Sequence, residues 1–549
     1  MQSTMMDYPL TLTTILERAG KLFGKVEIVS RLPDKSLHRH TYADFYRRAR
    51  ALAEALTRAG LKRGDRVATL MWNHYAHLEA YFGAPVAGGV VHTLNLRLHP
   101  AELAYIINHA ADRFLIVDDV LLPLYEKFKD QVKLDRVLVV PLTGKPAAAG
   151  KPVPQGYESY EEFLAQAKGD FAYPQIGEYD AAAMCYTSGT TGAPKGVVYS
   201  HRAIVLHSFA TSLPDIADLA QRDVILPVVP MFHVNAWALP FGAPMIGCKQ
   251  VYPGPHYDPE SLLDLFEREQ VTYSCGVPTV WLGLLEALEK NPGRWKLAPN
   301  LHLTVGGAAA PEPMFHRFDK LGIRLCAGWG MTEMTPVGSI SFVKSYLESL
   351  PAAERIALRS RAGLPLPFVE IRARNDVGEV PWDGKTVGEL EVRGPWVAAS
   401  YYNLPEETSV KWTPDGWFRT GDIVSIDPEG YIKIIDRSKD LIKSGGEWIS
   451  SVDLENTLMA HPAVRDTAVI AVPDPRWQER PLAVVVLKEG AQATADELRE
   501  FLAKRFARWQ LPEAFVFTNA LPRTGTGKVQ KSLLREQYAQ HPREQPSEV

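Results

Sequence analysis

The chain has 549 residues, 46% of them hydrophobic and 23% charged, an ordinary globular composition spread over more length than one core fills. Its 60 basic and 64 acidic residues leave a net charge of -4, which gives no basic footprint for RNA or DNA. The N-terminus lacks a basic-then-apolar leader and no apolar run approaches the ~18 residues of a membrane span, so the expected location is the cytoplasm.

In chain order, the spacing predicts a helix from Tyr42 to Ala59 and short apolar strands at Arg66 to Met71 and Phe114 to Val117, which is α/β texture. His74 and His77, with Glu79 nearby, imitate a metal site but lack a third ligand, and they read as surface decoration. Residues 143 to 156, rich in Pro, Gly and Ala, read as a surface loop. The cysteines Cys185, Cys248, Cys275 and Cys326 form no C-x-x-C pair and read as reduced core residues.

The apolar run Ala181 to Cys185 predicts a buried strand, and behind it stands Thr187-Ser188-Gly189-Thr190-Thr191-Gly192-Ala193-Pro194-Lys195-Gly196. Glycines free the backbone to turn N–H groups onto an anion, while hydroxyls and Lys195 add charge-assisted donors, so this is a phosphate cradle. Lys195 follows Gly192 by three residues and precedes glycine, so it is not a Walker A loop. Val305-Gly306-Gly307-Ala308 is small enough for a flat ring or an acyl chain to approach the backbone, or it is a packing turn.

Gly328-Trp329-Gly330-Met331-Thr332-Glu333 offers an indole to stack on adenine, a hydroxyl for an α-phosphate and a carboxylate for Mg²⁺. From Gly388 to Ile435 the pattern turns strand-rich, which predicts a small β unit. Within it, Asp422 follows a glycine turn and suits ribose hydroxyls, and Arg437 suits the same sugar or a phosphate; each also fits a plain turn. After Asp436-Arg437-Ser438-Lys439-Asp440 come a second glycine turn, Lys443-Ser444-Gly445-Gly446-Glu447-Trp448, a helix from Ser451 to Ala460, and strands at Thr467 to Val472 and Leu482 to Leu487. These form an α+β terminal domain. Leu521-Pro522-Arg523-Thr524-Gly525-Thr526-Gly527-Lys528 then presents either a poised lysine or a solvated one.

The order of these motifs resembles the adenylate-forming superfamily, which includes acyl-CoA synthetases, adenylation modules and luciferases, and it does so over nearly the whole chain. The segments Leu226 to Trp237 and Ile442 to Ser451 look most like bacterial medium- and long-chain fatty acid CoA ligases, with a methylmercaptopropionate ligase group also similar. Trp329 stands where many members carry tyrosine, and Thr526 where serine is frequent.

That resemblance implies a large α/β N-terminal domain with a small β unit (1–437), a hinge at 438–439 and a small mobile α+β C-terminal domain (440–549). It implies ATP, Mg²⁺ and coenzyme A as reactants, a carboxylic acid as substrate, and a possible homodimer. Thr187 to Gly192 and Lys195 would hold the β- and γ-phosphates, Gly307, Gly328, Trp329, Gly330, Asp422 and Arg437 the nucleoside, and Thr187 and Glu333 the Mg²⁺. Lys528, with Thr332 and Glu333, would serve adenylation; Lys439 would be the pivot that exchanges Lys528 for the Lys443 to Trp448 face. His233, Trp237 and Gly306 match positions beside the acyl pocket, although His233 also fits a satisfied core histidine and Trp237 a core aromatic. Trp448 matches a gate to the fatty-acid tunnel, and Ser444, Gly445, Gly446 and Glu447 the CoA side. The expected activity is fatty acid CoA ligation through an acyl-adenylate; the alternatives are a ligase for a short substituted acid such as 3-methylmercaptopropionate, or a noncatalytic acyl-adenylate binder.

Overall fold

The helix Tyr75–Val86 is buried along its whole length, and it shows how the N-terminal part is layered. A helix without a polar face needs cover on every side, and this one lies in a core shared by two sheets. The computed structural model describes residues 1, 3–143, 153–187, 193–444, 447–524 and 527–538. On one side stands a seven-stranded sheet in which Arg66–Leu70, Val90–Thr93 and Ala181–Tyr186 are parallel neighbours, closed at one edge by the antiparallel Gly196–Ser200. On the other stands a nine-stranded sheet whose middle strands run parallel and whose two ends are antiparallel, Leu37–Thr41 at one and Val337–Ile340 with Leu364–Pro365 at the other.

The helix Tyr42–Arg58 packs on this layer through an amphipathic face, and Thr41 and Asp44 cap its start reciprocally. An antiparallel five-stranded sheet, Glu370–Asn375 to Ile432–Arg437, forms the β unit expected from the turn-rich segment. Sheet membership then changes between Arg437 and Ile442, where a separate sheet begins with Ile442–Ser444. In that terminal unit the strands Val464–Asp474 and Gln478–Leu487 pair along their length, with Ser451–Met459 and Ala495–Ala503 packed on one core. No helix among the described residues is long and apolar enough to cross a membrane.

The structure corrects the reading of His74, His77 and Glu79 as surface groups. All three are buried, at 1%, 0% and 0% exposure. His74 Nε2 lies 2.9 Å from Asp118 Oδ1, and His77 bridges Thr69 Oγ1 and the Trp72 carbonyl at 3.0 Å each. Burial, with His74 adding to it, pushes the His77 imidazole down to about 3, so it stays neutral. Glu79 is held by Arg48 Nε at 2.6 Å and by the Tyr160 hydroxyl at 2.8 Å, and Arg48 also reaches Glu161 at 2.7 Å. These are satisfied core groups.

Removing Arg48 strands the Glu79 carboxylate in this core. Arg48→Met is expected to destabilise the N-terminal part by about 3–5 kcal/mol, seen as a lowered thermal midpoint. Glu79→Gln in the same background should recover part of the loss; an unchanged melt in Arg48→Met would refute the account.

Candidate active site

The strand Ala181–Tyr186 pairs antiparallel with Gly196–Ser200 at the sheet edge. Beside them, Thr187 N–H donates to the Lys195 carbonyl at 2.9 Å and Lys195 N–H to Thr187 Oγ1 at 3.0 Å. Ser188, Gly189, Thr190, Thr191 and Gly192 lie outside the described residues. Lys195 Nζ pairs with Glu407 at 2.5 Å and sits 5.3 Å over the Tyr401 ring.

Tyr401 links this lysine to the second motif, because its hydroxyl donates to Glu333 Oε1 at 2.5 Å. Glu333 and Thr332 lie on a short turn after the strand Arg324–Gly330, and their backbone carbonyls are fixed by Ala398 N–H at 2.7 Å and the Tyr199 hydroxyl at 2.7 Å. Gly328, Trp329 and Gly330 belong to that strand. Gly330 is required by space: a Cβ there would lie 2.0 Å from the Pro336 carbonyl oxygen.

Trp329 is 6% exposed, and its indole Nε1 donates to Asp422 Oδ2 at 2.8 Å. Asp422 Oδ1 pairs with Arg437 Nε at 2.5 Å, and the two residues are register partners on adjacent strands. Both Asp422 oxygens thus already hold a protein donor, and a sugar hydroxyl bound there shares an oxygen with one of them.

A cavity of about 1030 Å³ runs between the N-terminal part and the terminal unit. Thr187, Lys195, Glu333, Asp422, Arg437 and Lys528 all line it. Lys528 enters from the terminal unit on a loop closed by Thr524 N–H to the Lys528 carbonyl at 2.7 Å and Arg523 Nη1 to the Gly527 carbonyl at 2.6 Å. Its Cε lies 3.8 Å from the position a Cβ on Gly307 would take. Burial pushes the Lys528 ammonium down to about 8, Arg437 and Lys439 add to the shift, and Asp422 and Glu333 oppose it. The imidazole of His233 is pushed down to about 3 by burial, with Lys528 contributing, so it is neutral near pH 7.

His233 opens a left-handed turn. Val234, Asn235, Ala236, Trp237 and Ala238 all have φ between 46° and 61°, a conformation that costs an L-residue about 1–2 kcal/mol each. The turn carries Trp237 against Gly306, where a Cβ would approach the indole Cη2 to 2.8 Å. Trp237 packs on an apolar cluster that includes Ala217, Leu239 and Cys275, which also line the cavity, as does Ile216. Tyr273 also lines the cavity, and its hydroxyl is tied to Thr304 Oγ1 at 3.0 Å.

Lys443 and Trp448 face each other across a hairpin of the terminal unit, Trp448 is 47% exposed, and Ser444 is bound by Arg480 Nη1 at 2.9 Å. Lys443, Ser444, Glu447 and Trp448 are not brought to the lining, whereas Lys439 is; Gly445 and Gly446 lie outside the described residues. Sequence reasoning missed Tyr401, Glu407 and Tyr199, which orient the charged groups. Tyr401 and Glu407 fall in a segment without a glycine motif, and Tyr199 sits in an ordinary strand pattern.

Cations and carboxylates converging on one cavity suit a polyanion bound with a hard cation. Residues 16–402 match the AMP-binding enzyme family, and residues 453–528 match the C-terminal domain of those enzymes. The chain belongs to the AMP-binding enzyme family. Among its AMP-binding relatives, a long-chain-fatty-acid–CoA ligase from Thermus thermophilus is 53% identical over 98% of this chain and 97% of its own. A 3-methylmercaptopropionyl-CoA ligase from Ruegeria lacuscaerulensis is 44% identical over 98% and 99%. Among solved structures, an anthranilate CoA ligase in complex with anthranoyl-AMP superposes with a TM-score of 0.85 at 25% identity, over 98% of this chain and 99% of that one. The fold expected from the motifs, an α/β N-terminal part with a β unit and a separate α+β terminal unit, is the fold of AMP-binding enzymes.

The depressed Lys528 ammonium is directly measurable. Labelling of Lys528 by an amine-reactive reagent, followed by peptide mass, is expected to rise through a midpoint near pH 8, well below the ~10.4 of an ordinary lysine. Asp422→Asn removes a negative charge that favours the ammonium, so it should move the midpoint lower; a Lys528 midpoint above 10 would overturn the electrostatic account.

Proposed function

We propose that the protein is an ATP-dependent acid–thiol ligase that converts a medium- or long-chain fatty acid to its CoA thioester through an acyl-adenylate, releasing pyrophosphate and AMP. The observation that carries this reading is the position of Lys528, whose side chain reaches Gly307 and shares a cavity with Glu333, Asp422 and Arg437. The apolar part of the same lining, Ala217, Leu239 and Cys275 with Trp237 packed on them, suits an alkyl chain.

In the first half-reaction a carboxylate oxygen attacks the α-phosphorus of ATP and pyrophosphate leaves. Negative charge grows on the non-bridging oxygens, and Lys528 donates from a fixed position toward both the acid and the α-phosphate. Lys195 and residues 187–192 take the β- and γ-phosphates; Thr332 donates near the α-phosphate. Trp329, held by Asp422, offers a ring face to adenine, and Arg437 and Asp422 receive the ribose. Gly328 and Gly330 let the strand backbone come close to the nucleoside.

The donor set fits Mg²⁺, because Glu333 offers a carboxylate oxygen beyond the one bound by Tyr401, and Thr187 offers a hydroxyl in the same cavity. A bound cation would supply charge neutralisation for the phosphates. Glu333 and Thr187 would hold it.

In the second half-reaction the CoA sulfur attacks the acyl carbonyl, the acyl–phosphate bond breaks and AMP departs. The terminal unit, 440–549, turns on 438–439 relative to 1–437, withdrawing Lys528 and presenting Lys443 to Trp448 for the thiol. The break in sheet membership between Arg437 and Ile442 supports this, and Lys443, Ser444, Glu447 and Trp448 do not line the cavity. His233, Trp237 and Gly306 shape the acid's approach.

The test is AMP and pyrophosphate release with ATP, Mg²⁺ and acids from acetate to palmitate plus 3-methylmercaptopropionate, with and without CoA. CoA-dependent AMP release should peak at a medium- or long-chain acid rather than at acetate. Lys528→Ala should lower it by about 10²–10³. Gly306→Val, which drives a side chain into both Trp237 and the Gly328 carbonyl, should raise KM for the acid. A peak at 3-methylmercaptopropionate would shift the substrate class to short substituted acids; no turnover with any acid would sink the ligase reading.

A further inference from the structure

Three residues after Lys528, at the start of the helix Lys531–Tyr538, Lys531 makes contacts that the chemistry above does not use. Its ammonium donates to Ser451 Oγ at 2.6 Å and pairs with Glu455 Oε1 at 2.7 Å. Both partners lie on the helix Ser451–Met459 of the terminal unit. Ser451 in turn reaches across to the β unit: its N–H and Oγ both donate to Asp436 Oδ2, at 2.7 and 2.6 Å. Asp436 is 1% exposed and stands one residue before the end of the strand Ile432–Arg437. Beside it, Ser450 Oγ donates to the Ile435 carbonyl at 2.5 Å.

We propose that Lys531, acting through Ser451 on Asp436, is a positioning residue that latches the terminal unit in the orientation that inserts Lys528 into the cavity. This rests on the two-step ligase reading and its turn at 438–439. Asp436 lies before that turn, and Ser451, Glu455 and Lys531 lie after it. Rotation therefore has to part Ser451 from a buried carboxylate, while Glu455 and Lys531 travel together. Burial disfavours the Lys531 charge, but Glu455, Asp436 and Asp440 outweigh it and hold the ammonium charged. The lysine is thus a fixed cation facing Asp436 over Ser451, and its loss weakens the crossing.

The prediction is a split between half-reactions. In the full chain, Lys531→Gln and Ser451→Ala should lower acid-dependent pyrophosphate–ATP exchange about tenfold, the effect expected of a lost charge-assisted hydrogen bond. Thioester formation from separately supplied acyl-adenylate and CoA should stay within about twofold of the parent or rise, because that step needs the latch open. Lys531→Arg should restore exchange. Equal loss in both half-reactions, or exchange unchanged in both variants, would overturn the latch. A parent protein inert in both assays would instead overturn the ligase reading on which it rests.

Discussion

The carboxylate of Asp422 is the joint on which the rest of the cavity depends. It sits on the five-stranded sheet, takes the indole hydrogen of Trp329 from the nine-stranded sheet, and pairs with Arg437 on the neighbouring strand, immediately before the chain changes units. One buried anion therefore fixes the angle of an aromatic ring, the position of a guanidinium and the approach of two sheets. The carboxylate also tempers the field at Lys528, whose charge burial and Arg437 would otherwise suppress further. A buried charge with two donors in good geometry is costly to disturb from either side.

Much of the cavity's lining was legible because its glycine and lysine motifs are local in sequence. Gly330 is demanded by contact with the Pro336 backbone, and Lys528 ends a loop that closes on its own backbone and side chains, so short motifs sufficed to find them. The strands Ala181–Tyr186 and Val464–Asp474 were visible as apolar runs, though the second extends beyond the expected Thr467 to Val472. The partners of the motif residues were not legible. Tyr401 reaches Glu333 across 68 residues of chain, and Trp329 reaches Asp422 across 93. No period or spacing encodes a hydrogen bond of that span.

The misplacement of His74, His77 and Glu79 has a different cause. Their polarity suggested solvent, but the helix around them is otherwise apolar on every side, and such a helix has to be covered. The buried groups are tolerated because Asp118, Thr69, Arg48 and Tyr160 each supply the missing hydrogen bond. Judging exposure from the whole helix rather than from single residues would have placed them inside.

The left-handed turn from Val234 to Ala238 gives this part of the cavity an unusual basis for its shape. Trp237 stands in the cavity wall on a backbone that winds against its preferred hand. A β-branched residue, Val234, sits in the least tolerant part of that winding. The shape of the cavity wall at Trp237 is then partly a property of main-chain handedness, and residues that never reach the lining help to set it.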